Sequence, residues 1–493
     1  MAQILSQPSH SLREFRILPG YTPPDGNALN VELETRLCAR GEKFITLNTP
    51  FLSAAMQAVT GAEMAIAISQ LGGIGVLPVS QTIEEQCNKI DIVKRFKAGF
   101  QTNIMTLSPQ HTIANVIDIM QETSYSTFPV TDNGEFHGKL LGIITDKDFD
   151  VRRDHACTVD DRMRRDVQAG VGIASLKEAN QLMIKYGRGF LPIIDSEGML
   201  QSVVFKKDLD KHLEHPNESI DAQKRLLVGA AVSTHPEDQD RVHSLIEHEV
   251  DVLVIDASDG HTHFQQQMVE WIKSNYEVPV IAGNVITARG FDFLVAAGAD
   301  AVKVGMGIGS GCTTMEVKAT GRGQATTLMD IAPARDTFFE KKNRYIPLIA
   351  DGGISGPAEM SVALALGADT LMMGNFFARY TESSGNLVRN AGGEIVKEYW
   401  MEGSSKARNH RRYAQLKNLF FEEGITGYVP HMGSIYDKLP VVLQILRSTL
   451  ATAGCRSIAE LHQLSEVEMQ SPTALHDSDI HDMVPMNIEH QVL

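Results

Sequence analysis

Five runs in the second half of the chain limit its possible folds more than any other feature. They are VDVLVIDA (250–257), VPVIAGNV (278–285), ADAVKVGM (299–306), IPLIADGG (346–353) and ADTLMMG (368–374). Each is almost unbroken in Val, Ile, Leu, Met and Ala, the pattern of strands covered on both faces in a parallel sheet. Helical stretches such as GFDFLVAAG and EMSVALALG lie between them. Both run into Gly-Ala-Asp, a glycine stop that leads straight into the next strand. Two earlier runs, FITLNTPFLSAAM (44–56) and MAIAISQLGGIGVLP (64–78), extend the series. Strand–helix units repeated this often, about 20–40 residues apart, predict an α/β fold closed as a (β/α)8 TIM barrel rather than an open sheet.

Residues 99–215 interrupt the series, and they repeat themselves. IANVIDIM…FPVTDNG (113–134) recurs 63 residues later as LKEANQLM…LPIIDSEG (176–198), and GIITDKDF (142–149) recurs 60 residues later as SVVFKKDL (202–209). Each copy reads as an amphipathic helix, a strand, a turn with Asp and a second strand, which predicts a pseudo-symmetric module inserted in the barrel. The repeat resembles a pair of cystathionine-β-synthase-type (CBS) repeats, and that resemblance implies purine nucleotides as its ligands; a purely structural insert is the alternative. The expected organisation is a barrel part at 1–98, the tandem CBS domain at 99–215, and the rest of the barrel at 216–493 with a flap at about 399–430.

The net charge of 45 − 61 = −16 argues against nucleic acid as the main partner, because phosphate-backbone binding needs a basic face. It leaves room for a local anion site built from backbone N–H groups. Five scattered cysteines with no C-x-x-C spacing fit free thiols in a reducing compartment. The N-terminus has no signal-peptide pattern and no run approaches the roughly 20 apolar residues that span a bilayer, so a cytoplasmic protein with no membrane partner is expected.

In a barrel the active site lies at the C-terminal ends of the strands. The loop VGMGIGSGCTTMEV (304–317) falls there and packs four glycines around Cys312. Asp351-Gly352-Gly353 and Gly374-Asn375 follow the last two strands, where barrel enzymes often build a phosphate site from glycine N–H groups. Ser310 adds a hydroxyl, and Asp351 is placed to accept from ribose hydroxyls, so a nucleoside monophosphate or another sugar phosphate is the expected ligand. A thiol ringed by backbone donors beside a phosphoester has the setting of a nucleophile, although inert packing is the commoner fate of a lone cysteine. Asp256 and Ser258, in VIDASDG, stand at another strand end and suit a second ligand. The charged, glycine-punctuated segment 399–430 reads as a lid carrying the adjacent pair Arg412-Tyr413.

Together, VKVGMGIGSGCTT, IADGGI, LMMGN, EYWMEGSS, RRY, EEGITGYVP and FLSAAMQAVTGAEMAIAISQLGGIGVL resemble the inosine 5′-monophosphate (IMP) dehydrogenase family over essentially the whole chain. The resemblance implies NAD-dependent oxidation of IMP to xanthosine monophosphate through a covalent intermediate on Cys312. Thr314 would assist, and a mobile flap carrying Arg412 and Tyr413 would activate water in the second step. It implies substrate contacts from Ser310, Asp351, Gly353, Gly374, Asn375, Tyr399, Met56, Met401, Glu402, Gly403 and Glu423, and NAD contacts from Asp256, Ser258, Asn284 and Gly305. It further implies a potassium ion held by carbonyls of Gly307, Gly309 and Cys312, and tetramers, with octamers left open.

The sequence departs from the family pattern at Ala257, Asp259 and Asn375, the last standing where serine is common. Its tail, MQSPTALHDSDIHD (469–482), lacks the Glu-Gly-Gly segment that completes the potassium site of a neighbour. Two alternatives stay open. GMP reductase shares barrel, loops and cysteine but has no use for a water-activating Arg-Tyr pair. A non-catalytic nucleotide sensor has no reason to keep Cys312, Thr314 and Arg412-Tyr413 together.

Overall fold

The computed structural model describes residues 4–24, 26–41, 43–96, 101, 104–123, 126–173, 176–206, 215–408 and 422–478. Eight strands close into a parallel barrel: β1 (Phe51–Ser53), β2 (Ile74–Leu77), β3 (Val228–Val232), β4 (Val252–Ile255), β5 (Val280–Val285), β6 (Ala301–Val304), β7 (Leu348–Asp351) and β8 (Thr370–Met373). The ring closes where β8 pairs with β1 and β2 with β3. All eight strands are buried on both faces except at Asp351, as their continuous apolar runs require. Leu52, Val76, Val254, Ile281, Ile349 and Met372 belong to the core cluster that includes the barrel interior.

The helices covering the sheet follow the expected rhythm. Ala288–Ala297 opens on Thr287, whose hydroxyl caps Gly290 N–H, and ends on Gly298 in the left-handed region at φ +107°. The Gly-Ala-Asp motif therefore does stop a helix, and its aspartate has a further job. Asp300 and Asp369 of the two motifs, and Asp251, which follows Glu249-Val250 instead, each stand immediately before a strand, at the N-terminal end of the barrel. Each donates its backbone N–H to the carbonyl of the first residue of the preceding strand (Val228, Val280 and Leu348), at 2.9–3.1 Å. Each then accepts the N–H of that same residue on its carboxylate, at 2.8–2.9 Å. The charge is matched every time: Lys94 lies 2.7 Å from Asp251, Lys273 2.8 Å from Asp300 and Arg335 3.3 Å from Asp369. Tyr345 also donates to Asp369 at 2.8 Å. Burial, with that carboxylate adding to it, pushes the Tyr345 phenol well above its ordinary value, so it stays a donor. An antiparallel hairpin, Thr35–Arg40 with Lys43–Leu47, adds Leu37, Cys38, Ile45 and Leu47 to the core and bonds to the carbonyls of Asp300 and Asp369.

The chain divides into two compact units, the barrel unit (1–94, 217–219 and 226–493) and a second unit of residues 95–216 and 220–225. The second unit is the tandem CBS module. Strands Thr127–Thr131 and Leu140–Thr145 pair antiparallel, as do Phe190–Ile194 and Leu200–Phe205. Its pairings obey the offsets of 60 and 63 read from the sequence. Leu140 N–H bonds to Gly198 O and Leu200 N–H to Gly138 O, both at 3.0 Å, an exchange between equivalent residues of the two copies. Gln101, which leads the first copy, bridges to Val203 of the second, while Arg164, which leads the second, bridges to Ile143 of the first. The copies are thus crossed, and neither completes its sheet alone.

Because Asp369 is buried and accepts from a backbone N–H, a phenol and a guanidinium, replacing it by alanine strands two buried donors and leaves Arg335 with Asp336 as its one carboxylate partner. Asp369→Ala is expected to lower barrel stability by about 3 kcal/mol in urea unfolding, well beyond an exposed aspartate such as Asp437 changed in the same way.

Candidate active site at the C-terminal mouth of the barrel

At the opposite end the strands release the loops that carry the candidate residues. The loop after β6 turns through Gly305 (φ +128°), where a Cβ would lie 2.2 Å from Asp351 O, so the loops after β6 and β7 touch at their roots. Cys312 follows a turn closed by its own N–H on Gly309 O at 3.0 Å. Its Sγ lies 3.1 Å from Thr314 Oγ1, which in turn lies 3.2 Å from Glu423 Oε2. Lys318 sits 3.4 Å from the other oxygen of Glu423. A thiol, a hydroxyl and a carboxylate stand in line, an arrangement able to pass a proton away from sulfur.

Glu423 reaches this line because its segment is part of a sheet. The segment read as a lid is flanked by a regular stem: Ile395–Trp400 pairs antiparallel with Thr426–Pro430, and Cys312 bridges antiparallel to Gly424. Met401 N–H bonds to Ile425 O and Ile425 N–H to Gly311 O, both at 3.1 Å. Met401 lies against Gly424, where a Cβ would be 2.2 Å from its own, so only glycine fits there. Glu402 is drawn to the barrel instead, accepting from Gln57 N–H at 2.7 Å and from the Ser80 hydroxyl, while Trp400 Nε1 donates to Gln57 at 3.1 Å.

The phosphate candidates converge at the mouth. A Cβ on Gly374 would lie 3.0 Å from Tyr399 Oη and 2.7 Å from Met56 Sδ. Tyr399 is 8% exposed; burial pushes its phenol pKa up, and a hydrogen bond with Ser310 works the other way. Gly352 and Gly353 lie against Ile308, in the same loop as Ser310.

The second set surrounds a lysine. Lys303, on β6 and 4% exposed, lies 2.7 Å from Asp351 and 3.6 Å from Asp256. Burial alone would lower its pKa, but the two carboxylates outweigh that and raise it, which fixes the ammonium form. Asn284 Nδ2 donates to Asp351 at 3.0 Å and to Gly305 O at 2.7 Å, leaving its buried Oδ1 without a partner. Beside these groups a cleft of about 590 Å³ is lined by Ser258, Asp259, Met306, Thr314 and Lys318 among others, so Thr314 faces both the thiol and the cleft. Gly307 turns at φ +79° in the same loop. Arg412 and Tyr413 lie outside the described residues.

Comparison with known proteins decides the family. The IMP dehydrogenase / GMP reductase domain profile matches residues 9–481. The chain belongs to the IMP dehydrogenase / GMP reductase family. It is 39% identical to the inosine-5′-monophosphate dehydrogenase of Tritrichomonas foetus, covering 98% of both chains. It is 37% identical to that of Schizosaccharomyces pombe, over 95% of this chain and 91% of the relative. A crystal structure of Trypanosoma brucei GMP reductase, a cysteine-to-alanine variant in complex with guanosine 5′-monophosphate, superposes with a TM-score of 0.84. It is 28% identical and covers 97% of this chain and 99% of that one.

Within this family fold, sequence reasoning missed Lys303, Gln57, Ser80 and Lys318. Lys303 left a visible signal, a lone charge in the buried strand AVKV. Gln57 and Ser80 left none, because they act through pairings distant in sequence. Metal ligation leaves no cluster of three or more His, Cys, Asp or Glu among the described residues.

The five thiols differ in access. Cys38, Cys87 and Cys455 are buried, and burial raises the pKa of the latter two, whereas Cys312 and Cys157 are partly exposed. Iodoacetamide at neutral pH should label Cys312 and Cys157 and spare the other three until the chain unfolds, as peptide mass spectrometry would read.

Proposed function

We propose that this chain oxidises IMP to xanthosine monophosphate with NAD, holding the purine on Cys312 between two steps. The observation that carries the chemistry is the Cys312–Thr314–Glu423 line at the barrel mouth. The choice of dehydrogenation rests on Arg412-Tyr413 in the sequence and on near-full-length similarity to IMP dehydrogenases.

On this reading Ser310, Gly353, Gly374, Asn375 and Tyr399 hold the phosphate and Asp351, oriented by Lys303, takes the ribose hydroxyls. Met56, Met401, Gly403 and Glu423 flank the base, with Glu402 anchoring their segment to the barrel. The Cys312 thiol gives its proton toward Thr314 and Glu423, and the thiolate adds to C2 of the base. The C2–H bond then breaks with its electron pair leaving as hydride. NAD, when bound, supplies the acceptor for that hydride. Asp256, Ser258, Asn284 and the Gly305 backbone would hold it; Ser258 lines the open cleft, and Asn284 Oδ1 has no hydrogen-bond partner of its own. In the second step water adds to C2 of the thioimidate on Cys312, its proton passing to Arg412 and Tyr413, and the C2–S bond breaks to free the thiolate. A base for water must be kept from the site during hydride loss, which is what a flap provides.

Potassium, where it binds, would sit against the carbonyls of Gly307, Gly309 and Cys312. Gly309 O already accepts from Cys312 N–H and the tail has no Glu-Gly-Gly segment, so turnover is expected to differ little between sodium and potassium buffers. The reading also includes tetramers, octamers remaining open, and adenine or guanine nucleotides at the CBS pair. ATP and GTP should shift the melting temperature or oligomer size, and no effect of either would remove them as ligands.

The likeness to the T. brucei enzyme favours a second reading, reduction of GMP by NADPH with loss of ammonia. Parallel incubations with IMP plus NAD and with GMP plus NADPH separate the two. IMP-dependent NADH formation is expected, and activity in the second mixture alone would reverse the assignment. Cys312→Ala should cut turnover by about 1000-fold or more while IMP still binds. Saturating IMP should slow alkylation of Cys312 and leave Cys157 unaffected.

A further inference from the structure

Buried Lys397 is capped by the carbonyls of Thr381 and Ser383, whereas Lys94, Lys303 and Arg335 each reach an aspartate, at 2.7, 2.7 and 3.3 Å. Arg379 does not. It follows the short helix Asn375–Ala378 at the mouth, half-buried, and among the described residues it forms no ion pair. Instead its Nε and Nη2 both donate to a single neutral acceptor, Asn375 Oδ1, at 3.1 and 2.7 Å. Burial holds its pKa below the ordinary arginine value, with the Tyr380 and Tyr399 phenols acting the other way; a guanidinium nevertheless stays protonated in a protein.

Two consequences follow from elementary chemistry. Arginine has only donors, so its fork fixes the orientation of the Asn375 amide: the oxygen faces Arg379 and the NH2 faces away. A half-buried cation without a counter-ion also leaves positive potential that favours an anion nearby. Asn375 adjoins Gly374, which lies against Tyr399 Oη, and Ser310 is near enough to Tyr399 to influence its phenol. The uncompensated charge therefore sits at the edge of a cluster of neutral donors.

We propose that Arg379 is a positioning residue for the substrate's 5′-phosphate: its fork turns the Asn375 NH2 toward the phosphate, and its charge selects a dianion there. Asn375 then does through an oriented amide what a serine hydroxyl does elsewhere in the family. The inference rests on the mouth binding a purine nucleoside monophosphate, and it holds equally for IMP and GMP.

The test is calorimetric binding of IMP, GMP, inosine and guanosine to the full-length protein and to Arg379→Met and Asn375→Asp. Arg379→Met should weaken the nucleotides by about 10- to 100-fold, the loss expected for a charge-assisted hydrogen bond, and leave the nucleosides unchanged. Asn375→Asp keeps the side-chain size and pairs Arg379 internally, so it should melt no lower than wild type and yet reject the phosphate at least as strongly. Equal weakening of nucleotides and nucleosides in both variants, or full nucleotide affinity in either, would overturn the proposal and leave the wider functional reading standing. A wild-type protein that binds no nucleotide would overturn both.

Discussion

Three buried carboxylates, Asp251, Asp300 and Asp369, set the register on which the rest of the barrel depends. Each exchanges two hydrogen bonds with the first residue of a neighbouring strand, so a slip of that strand would break both and expose a paired cation. Parallel strands held this way at their N-terminal ends must deliver their C-terminal loops to fixed positions. The two ends of the barrel consequently differ in kind. At the closed end every one of these charges is matched by protein. At the open end Lys303 is shared by two aspartates, while among the described residues Asn284 Oδ1 has no partner and Arg379 has no acid. Thr370 Oγ1, at the closed end, also lacks a partner, but an amide oxygen and a guanidinium left over beside the candidate residues point to ligands at the mouth.

Much of this was legible in the sequence, and unevenly so. The barrel could be read from runs that are apolar on both faces, because burial on both sides leaves no freedom for alternation. The CBS pair could be read from its internal repeat, and the offsets of 60 and 63 reappear as residue pairings in space. In the Gly-Ala-Asp motifs the glycine was legible as a helix stop, but the aspartate was not, since its partners are a backbone N–H some 20 residues earlier and cations on helices. Loop residues with a chemical identity, such as Cys312 and Asp351, stood out. Those that act by holding another residue, such as Arg379 on Asn375 or Ser80 on Glu402, carry no local signature.

The strands that flank the segment read as a lid carry no local signal for a related reason. VKEYW and TGYVP alternate weakly and lie far apart in sequence, so neither announces a partner; only their pairing makes them strands. That pairing has a consequence for the chemistry. Cys312 and Gly424 are bridged, so the loop bearing the thiol and the segment bearing Glu423 form one sheet edge. Thr314 and Glu423 are thereby fixed to the thiol, and Arg412-Tyr413 lies in sequence between the two paired ends. On the proposed reaction the two halves then have different requirements. Proton removal from sulfur needs a partner always at hand, which the sheet edge gives. Activation of water needs a partner that arrives only after hydride has left, and the proposed reaction gives that part to Arg412-Tyr413 rather than to the sheet edge.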